Sequence, residues 1–449
     1  MHPKVAKYAS SPVPRYTSYP AVPHWQADLE PETYRGWLQR VDPSEPVSLY
    51  LHVPFCRELC WYCGCNMRLV SRYEPVAAYV GTLLHEVDRV CEALPTRVPV
   101  GHLHFGGGTP TSLTPDDLAR VMDRLRERFE FLPDAEVAIE SDPRTLTAEM
   151  IRRIGELGFT RASFGVQEFA PEVQRAINRI QSEEMVRGAI DGLRAVGVRA
   201  INVDLIYGLP HQTVTSLTRT IEACLTMNPD RLALFGYAHV PWMAKKQKLI
   251  DEAALPDAPA RAGQAEAAAA ALVGGGYNAI GLDHFARPDD ALAVAAREGT
   301  LKRNFQGYTV DTAETLLGIG VTSIGRTPEG YVQNHPTSGP WSRAVEAGTL
   351  PVARAHAFTA DDRLRGEVIE RLMCDGRVDT AAIGACHGVE PDWCRDALEE
   401  LAPLVEDGLV TIDAGVVALT ELGSPLLRVA AAAFDAYRAH APARHSVAV

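Results

Sequence analysis

Between residues 47 and 330, short apolar segments alternate with longer segments in which apolar residues recur at helical spacing. Helical character is clearest over 76–93, 115–129 and 147–157. Parallel strands need a crossover connection, usually a helix, so the alternation predicts an α/β fold with a parallel sheet. Six or so repeats predict an open or complete barrel of the partial (β/α)6 type. The strand candidates are VSLYLHV (47–53), HLHF (102–105), EVAIES (136–141), RASFGV (161–166), AINVDLIYG (200–208), RLALFGYAHV (231–240) and YNAIGLDHF (277–285).

Most of the unusual polar and glycine residues of this region stand at or just after the ends of these strand candidates. In an α/β barrel, functional residues collect at the C-terminal ends of the strands. The pattern therefore predicts a single site at that end of the barrel. The residues concerned are Cys56, Gly106, Gly107, Gly108, Glu140, Gln167, Asp204 and His239.

The flanking segments differ in character. Residues 1–45 are rich in proline and aromatic residues and contain PRYTSYP at 14–20, which predicts an ordered extended arm rather than a core element. Near residue 359, Thr359 and Asp362 form a capping-box pattern before a helix. A second helix around 391–401 and a hairpin from LVTID and VVALT would complete a mainly helical, winged-helix-like module. The predicted units are a 1–45 arm, a 46–350 barrel with its extension, and a 351–449 C-terminal domain.

The charge pattern argues against nucleic acid and membranes as partners. The net charge is −13 at pH 7, which disfavours binding to polyanionic surfaces. The C-terminal module carries fifteen acidic and five basic residues between Asp361 and Glu421, so packing or a lid role is favoured over DNA binding. Residues 1–10 lack a signal-peptide pattern, and no apolar stretch approaches the length of about eighteen residues that a membrane span needs. We therefore expect a cytoplasmic protein.

Four of the nine cysteines lie close together, at Cys56, Cys60, Cys63 and Cys65. A structural zinc site would need a second ligand pair about a dozen residues further on, and no cysteine follows Cys65 before Cys91. A disulfide is disfavoured in a reducing compartment. The C-x3-C-x2-C spacing instead predicts a [4Fe–4S] cluster bound by Cys56, Cys60 and Cys63. Three cysteine ligands leave one iron open for chemistry, although Cys65 as a fourth ligand would close it.

The segment CRELCWYC resembles the radical S-adenosylmethionine (radical SAM) superfamily, in which the open iron binds the amino and carboxylate groups of S-adenosylmethionine. Other segments resemble, more specifically, the family of oxygen-independent coproporphyrinogen III oxidases. The C-x-C extension to Cys65 and the RYTSYP arm favour this family over the related haem chaperones. The resemblance runs from Arg15 to about Gly325 and continues more weakly through the C-terminal domain. Its further segments are HFGGGTPTSL, ESDPRTL, SFGVQEF, INVDLIYGLPHQT, DHFARPDD and NFQGYT.

The resemblance implies two S-adenosylmethionine molecules side by side, with Cys65 and Glu140 as the catalytic candidates. The first cofactor would contact Tyr50, the glycine loop at Gly107, Glu140, and Ile324 at its adenine. The second would contact Tyr62, Gly108, Thr109, Gln167, Arg179, Asp204 and Ala238.

Structural interpretations compete with these roles. The glycines could form a simple tight turn, Glu140 could form a salt bridge with Arg144, and Arg179 could pair with Asp204. A second metal site is disfavoured relative to ordinary hydrogen-bonded barrel residues at His239, Asp283 and His284.

The implied reaction is the oxidative decarboxylation of two propionates of coproporphyrinogen III to vinyl groups, giving protoporphyrinogen IX in haem biosynthesis. The hydrogen to be removed is unactivated, so a 5′-deoxyadenosyl radical from S-adenosylmethionine would have to take it. We expect a monomer reduced by an unidentified donor such as flavodoxin or ferredoxin. The substrate carboxylates need cationic partners, and the candidates are Arg15, Lys245, Lys246, Lys302 and Arg303.

Three alternatives stay open at this point. A haem chaperone would share the cluster and the barrel but would not produce protoporphyrinogen. A haem-degrading radical SAM methyltransferase would change the mass of added haem. A structural zinc protein would be colourless after anaerobic purification, whereas an iron–sulfur protein would be brown.

Overall fold

The computed structural model describes residues 2–26 and 30–438. Its centre is a twelve-stranded mixed sheet in which six neighbouring strands are parallel and follow chain order. Of the seven predicted strands, the first five match these within a few residues at their C-terminal ends, and the sixth ends earlier than predicted. We label the parallel strands β1 (Val47–Val53), β2 (Pro99–Gly107), β3 (Glu130–Ser141), β4 (Arg161–Gln167), β5 (Ala200–Tyr207) and β6 (Arg231–Gly236).

Helices connect all the successive parallel strands, as the alternation predicts. Several of these helices begin at a Ser or Thr whose side chain accepts a hydrogen bond from the first turn, as Thr114, Thr147 and Ser182 do. Such caps satisfy backbone donors that have no partner within the helix. The connecting helices are Glu74–Ala93, Pro115–Arg128, Ala148–Glu156, Pro171–Ala176, Glu183–Ala195 and Val214–Thr226.

The main hydrophobic core lies between this sheet and its helices. Leu49 of β1, Phe105 of β2 and Phe164 of β4 are almost completely buried, as are Leu83 and Val87 of the first connecting helix. In β5 burial alternates along the strand, with Ile201, Val203 and Leu205 fully buried and the residues between them partly exposed, so one face of the strand packs in this core. This core fixes the strand ends that carry the site residues.

The sheet continues on both sides of the six strands without closing on itself. Leu316–Ile319 pairs in parallel with β1, and antiparallel strands Ile324–Thr327, Gly330–Asn334 and Val352–Ala357 follow it. Beyond β6 lie the antiparallel strands His284–Ala286 and Asn278–Ile280. The prediction of an α/β fold with a partial (β/α)6-type barrel is confirmed.

Two details of the strand prediction are wrong. The segment 277–285 is not one strand: it folds back at Gly281, whose φ is +57°. A side chain at Gly281 would collide with the ring of Tyr308, so a distant residue helps to fix this turn. The sixth strand ends at Gly236, and residues up to 240 lie outside it.

The C-terminal region has the predicted helix start and hairpin. Thr359 and Asp362 form a capping box at the start of helix Ala360–Asp375. The hairpin joins Val410–Asp413 and Val416–Leu419 through Ala414 and Gly415, both with positive φ, as a tight hairpin turn requires. The helix expected near 391–401 is present but shorter, at Arg395–Glu400, and a further short helix, Ala402–Glu406, follows it. The other elements here are Arg377–Asp379, Thr380–Cys386 and Leu427–Ala432.

The N-terminal arm is partly different from the prediction. It begins with a helix, Pro3–Ala9, and the following PRYTSYP segment is without regular structure as far as Pro20. The expectation that this arm is not a core element is wrong, because Tyr16 and Tyr19 are buried in the hydrophobic cluster of the C-terminal region. The boundaries of the three predicted units stay a prediction, and residues 439–449 lie outside the described part.

The remaining elements complete the architecture. Helix Ala258–Gly274 packs beside helix Val214–Thr226, and short strands pair as Phe55–Cys56 with Arg68–Leu69 and as Lys302–Asn304 with Gly307–Thr309. In the part of the chain that is described, no helix has the length and apolarity to cross a membrane. The other helices are Pro31–Leu38, Ala291–Glu298 and Ser338–Glu346.

Candidate active site

The cysteine loop leaves the C-terminal end of β1 and lies across the barrel mouth. Cys56 ends the short strand that follows β1, and its Sγ is 3.4 Å from Thr109 Oγ1. Cys63 Sγ accepts a hydrogen bond from the Cys65 backbone N–H at 3.4 Å. Cys60 is buried, whereas Cys65 is exposed. The loop therefore presents several thiols to one end of the barrel.

Two arginines contact the sulfur of Cys60. Arg144 Nη2 lies 3.3 Å and Arg179 Nη1 lies 3.4 Å from Cys60 Sγ. Asp142 accepts hydrogen bonds from both guanidinium groups, at 2.6 Å and 3.3 Å. Burial favours the neutral form of Asp142, but the two arginines outweigh it and hold the pKa of that carboxyl below its ordinary value. Two guanidinium groups therefore lie directly beside the sulfur of one predicted cluster ligand.

At the glycine run that ends β2, the backbone packs closely against the backbone and side chains of neighbouring strands and loops. Gly107 has a φ of +114°, and the Gly108 N–H donates to the Val53 carbonyl at 2.8 Å. A Cβ on Gly108 would lie 2.8 Å from the Phe55 backbone, and one on Gly106 would lie 2.8 Å from Glu140 Oε1. The turn is therefore not a simple surface turn, because each position needs the absence of a side chain.

Tyr50, His104 and Glu140 meet on three neighbouring strands. Tyr50 of β1 is in register with His104 of β2, and their rings stack at 5.9 Å. His104 Nε2 is 3.1 Å from Glu140 Oε1, and the Gly107 N–H donates to Glu140 Oε2 at 3.2 Å. Burial disfavours the charge on Glu140, but His104 and the Gly107 N–H lower the pKa of its carboxyl overall.

The salt bridge between Glu140 and Arg144 that the sequence allowed is absent among the described residues, because Arg144 pairs with Asp142 and Glu58. A hydrogen bond with Cys63, the Cys63 charge and the Glu140 charge raise the pKa of the Cys65 thiol well above its ordinary value. The two catalytic candidates therefore share one region.

The ends of β4 and β5 supply a second group of predicted cofactor residues. Gln167 has a φ of +66°, and its buried Oε1 has no hydrogen-bond partner within the described ranges. Arg179 donates to the Gly165 carbonyl at 3.0 Å and not to Asp204, so the alternative of a structural ion pair between Arg179 and Asp204 is not realised. Burial and the nearby Glu140 raise the pKa of Asp204 to about 7.

Tyr62 and Ala238, also cofactor candidates, are joined by a residue that the sequence did not single out. Gln247 is buried, and its Nε2 donates to the Tyr62 carbonyl at 2.8 Å and to the Ala238 carbonyl at 3.1 Å. It thereby ties the cysteine loop to the segment after β6. Ile324, the adenine candidate, begins a strand beside Gly318, which is in register with Tyr50.

Several residues considered for a second metal site or for binding substrate carboxylates form hydrogen bonds or salt bridges with other groups of the protein. His239 is hydrogen bonded to Tyr237 and Glu252, and His284 to Asp283. Lys302 forms a salt bridge with Glu370. Lys246 Nζ donates to the Cys65 carbonyl at 3.3 Å.

The residues at the barrel mouth fit an iron–sulfur cluster with bound S-adenosylmethionine. They offer thiols beside two arginines, a glycine-lined surface that a Cβ would block, and the unpaired acceptor on Gln167. Among the described residues, no three His, Cys, Asp or Glu side chains are grouped to hold one metal ion. A cluster does not need that grouping, because each thiolate binds a different iron. The roles of individual residues stay a prediction.

Sequence reasoning missed His104, Asp142 and Gln247. Asp142 stands within the ESDPRTL segment, directly after the strand end that carries Glu140, so its position alone could have marked it. His104 and Gln247 carry no such local signal. Gln247 is 185 residues from Tyr62 in the chain, and only the tertiary structure reveals that contact.

Comparison with known proteins identifies relatives over nearly the whole chain. Residues 50–224 match the family model of the radical SAM superfamily, and residues 358–426 match that of the HemN C-terminal domain. The chain is 50% identical over 442 residues to an oxygen-independent coproporphyrinogen III oxidase from Bradyrhizobium diazoefficiens, covering 98% of each protein. It is 45% identical to one from Cereibacter sphaeroides, covering 95% of this chain and 94% of that one.

A solved structure agrees with these relatives. The coproporphyrinogen III oxidase (HemN) from Escherichia coli, described as a radical SAM enzyme, superposes with a TM-score of 0.91 at 39% identity. The match covers 94% of this chain and 97% of that one. Both the barrel and the C-terminal module therefore have counterparts in one known architecture.

Proposed function

Because the chain belongs to the family of oxygen-independent coproporphyrinogen III oxidases in the radical SAM superfamily, we propose that it converts coproporphyrinogen III to protoporphyrinogen IX in haem biosynthesis. The observation that carries this function is 50% identity over 98% of both chains with a relative of that name. In each of two propionates, a β-carbon hydrogen atom and carbon dioxide leave, and one electron passes to an acceptor. A vinyl group is formed each time. The enzyme is an oxidoreductase that uses a [4Fe–4S] cluster and S-adenosylmethionine.

We propose that Cys56, Cys60 and Cys63 bind the cluster. When bound, the cluster and S-adenosylmethionine supply radical abstraction of hydrogen from an unactivated carbon. Arg144 and Arg179 support this assignment, because their guanidinium groups lie 3.3 Å and 3.4 Å from Cys60 Sγ and offer positive charge beside a thiolate-ligated cluster. Cys65 is left outside the ligand set.

The neighbouring residues would position the cofactor. Glu140 offers a carboxylate whose pKa is lowered, which suits a cationic amino group beside it. The unpaired Gln167 Oε1 offers an acceptor, and the glycines of β2 let a ligand approach the backbone closely. Holding the reacting groups at short range is the main contribution that the protein can make.

The electron donor in this proposal is an acidic one-electron carrier such as flavodoxin or ferredoxin. Lys245 and Lys248 are exposed, and Lys246 contacts the carbonyl of Cys65. Trp242 and Met243 beside them are 51% and 73% exposed, so a basic and partly apolar surface adjoins the cysteine loop. Reduction by such a carrier should slow as salt increases, and a salt-independent rate measured by stopped flow would contradict docking at this surface.

We also propose a monomer in the cytoplasm. None of the nine cysteines, four of which are buried, forms a disulfide, and cysteines outside disulfides are typical of a reducing compartment. Sedimentation of the purified protein checks the first part of this proposal. Localisation of a tagged chain checks the second part.

The function is tested by anaerobic reconstitution with iron and sulfide, followed by reaction with S-adenosylmethionine, dithionite and coproporphyrinogen III. We expect a product lighter by two molecules of carbon dioxide and four hydrogen atoms, detected by mass spectrometry after separation from the substrate. Cys60→Ala should lose bound iron and product formation together. Cys386→Ala is the matched control, because Cys386 is exposed in the C-terminal module.

The result that would contradict the function is a reconstituted wild type that cleaves S-adenosylmethionine without forming vinyl product. Mass change of added haem in the same assay would instead favour a haem-modifying enzyme. A Cys60→Ala protein with full iron content would contradict the ligand assignment alone.

A further inference from the structure

A cavity of about 720 Å³ adjoins the candidate active site. It lies between the end of β6, the N-terminal arm and the C-terminal module, and Ala238, a predicted cofactor residue, lines it. Tyr207 lines it too, three residues after Asp204 on β5. Its volume is within the range of about 300–1,000 Å³ that small-molecule sites occupy. The cavity therefore opens beside the place where the chemistry is expected.

The walls of this cavity combine apolar residues with positive charge. Val5, Leu234, Phe235 and Leu282 supply apolar surface. Three carboxylates, Glu266, Asp283 and Glu421, also line it, and Asp283 is hydrogen bonded to His284 at 2.7 Å. Four arginines come from four separate segments of the chain: Arg15, Arg261, Arg303 and Arg428.

Two of these arginines are held in place by hydrogen bonds and still have N–H groups without an acceptor. Arg261 Nη1 donates to the Tyr237 carbonyl at 2.5 Å, and its guanidinium lies 5.3 Å from the centre of the Tyr207 ring. Arg303 Nη2 donates to the Arg15 carbonyl at 3.4 Å, and its guanidinium lies 4.4 Å from the centre of the Tyr308 ring. Within the described ranges, Arg261 Nε and Arg303 Nε and Nη1 are buried without a hydrogen-bond partner.

The arginine charges act on one another across the cavity. Burial, together with the charges of Arg15 and Arg303, lowers the pKa of Arg428 to about 10, although Tyr207 and Asp283 oppose the shift. Burial and Arg15 also lower the pKa of Arg261. Buried cationic donors without partners are costly, and an anionic ligand with several carboxylates would relieve that cost.

We propose that this cavity is the substrate subsite, in which Arg261 and Arg303 bind propionate carboxylates of a tetrapyrrole whose ring lies on the apolar walls. Arg15 and Arg428 add positive charge from the arm and from the C-terminal module. The inference rests on the proposed function, and it deepens that function by naming the residues that recognise the substrate. It also gives the C-terminal module a part in the reaction, because that module completes the cavity.

The test measures binding separately from turnover. Reconstituted wild type, Arg261→Gln and Arg303→Gln are equilibrated anaerobically with coproporphyrinogen III in the absence of S-adenosylmethionine, and free ligand is quantified after ultrafiltration. We expect each variant to bind about tenfold more weakly or worse, because a charge-assisted hydrogen bond is lost. Arg261→Lys and Arg303→Lys should recover part of the affinity. Arg297→Gln is the control, because Arg297 is exposed and outside the cavity.

A neutral ligand provides the second comparison. The tetra-amide of coproporphyrinogen III should bind weakly to the wild type and equally weakly to both glutamine variants. If the glutamine variants do not fold, as judged by cluster absorbance, the wild type alone still decides: equal affinity for the tetra-acid and the tetra-amide would overturn the inference.

Different results would contradict the substrate subsite and the enzyme function. Unchanged binding of the tetra-acid by both folded variants, with normal vinyl formation by the wild type, would overturn the subsite and leave the function standing. Charge-dependent binding that is weakened in both variants, with no vinyl product from the wild type, would overturn the function and support the subsite.

Discussion

Glycines at two positions of β2 show how single residues shape the site. A Cβ on Gly106 would meet Glu140 Oε1 at 2.8 Å and the Tyr50 ring at 2.9 Å. On the same strand, a Cβ on Gly101 would have its nearest neighbour, Pro46 Cβ, at an ordinary 3.6 Å. The strand therefore contains both a sensitive position and a matched tolerant one.

We expect Gly106→Ala to displace Glu140 and Tyr50, since neither can keep its position beside a new methyl group. Overpacking of this kind costs about 1–3 kcal/mol, and the same free energy taken from cofactor binding corresponds to a loss of about fivefold to 150-fold in affinity. Equilibrium binding of S-adenosylmethionine to reconstituted protein measures the effect. Gly101→Ala should bind like the wild type. Equal affinities for all three proteins would show that Glu140 and Tyr50 do not hold the cofactor.

At this scale the sequence predicted residue types better than their partners. Cys56, Cys60 and Cys63 are close in the chain, so their spacing alone suggested a cluster. Glu140 was marked by its place at a strand end, but its contact with His104 was not, because the two residues lie on different strands. Contacts between distant segments depend on strand register and side-chain packing, and neither can be predicted from a short stretch of sequence.

A buried carboxyl connects three elements on the far side of β1. Glu86, on helix Glu74–Ala93, is 1% exposed. Its Oε2 accepts from the Gly320 N–H and from Trp341 Nε1, both at 2.8 Å, and Asn334 Nδ2 donates to Oε1. Burial raises the pKa of Glu86 to about 7, although these three donors oppose the shift. The carboxyl is therefore protonated in the folded chain at pH values where the unfolded chain has lost that proton.

This difference makes the free energy of unfolding depend on pH. Between about pH 4.5 and pH 7 the folded state holds a proton on Glu86 that the unfolded state has lost, so stability falls as pH rises through that window. The total is about 3 kcal/mol. Glu86→Gln cannot ionise, so urea unfolding of the cluster-free protein should show a flatter pH dependence by about that amount. Glu92→Gln, on the exposed face of the same helix, should keep the wild-type dependence. Parallel curves for wild type and Glu86→Gln would refute the assignment.

Elements were predictable where their signal is local. Strands β1 to β5 are apolar runs between helical segments, and their C-terminal ends fall within a few residues of the prediction. The prediction of one strand over 277–285 was wrong because the chain turns at Gly281, next to the ring of Tyr308. The spacing of apolar residues in the sequence does not reveal a contact with so distant a residue. The arm was predicted as extended because proline and aromatic residues dominate it, but their burial depends on a surface more than 300 residues away.

The two largest hydrophobic clusters of the described residues divide the molecule, and the N-terminal arm and the C-terminal module share the smaller of the two. Val5, Val13, Tyr16 and Tyr19 pack with the C-terminal helices. Tyr16 donates to Asp435 Oδ2 at 3.0 Å, and Tyr19 Oη accepts from the Ala436 N–H at 3.1 Å. Tyr34, only fifteen residues after Tyr19, belongs to the barrel cluster instead. The chain thus passes from one cluster to the other between these two tyrosines.

This division predicts opposite effects for two similar substitutions. Tyr16→Ala removes a buried aromatic ring from the shared cluster, which costs about 3–5 kcal/mol, so amide exchange should accelerate in helices Ala360–Asp375 and Leu427–Ala432 and not in β1–β6. Tyr34→Ala should accelerate exchange around helix Pro31–Leu38 and the barrel core, leaving the C-terminal helices protected. Hydrogen–deuterium exchange with mass spectrometry resolves both regions in one experiment. If each variant loosened both regions equally, the two clusters would form one cooperative unit, and the arm would act on the barrel directly rather than through the C-terminal module.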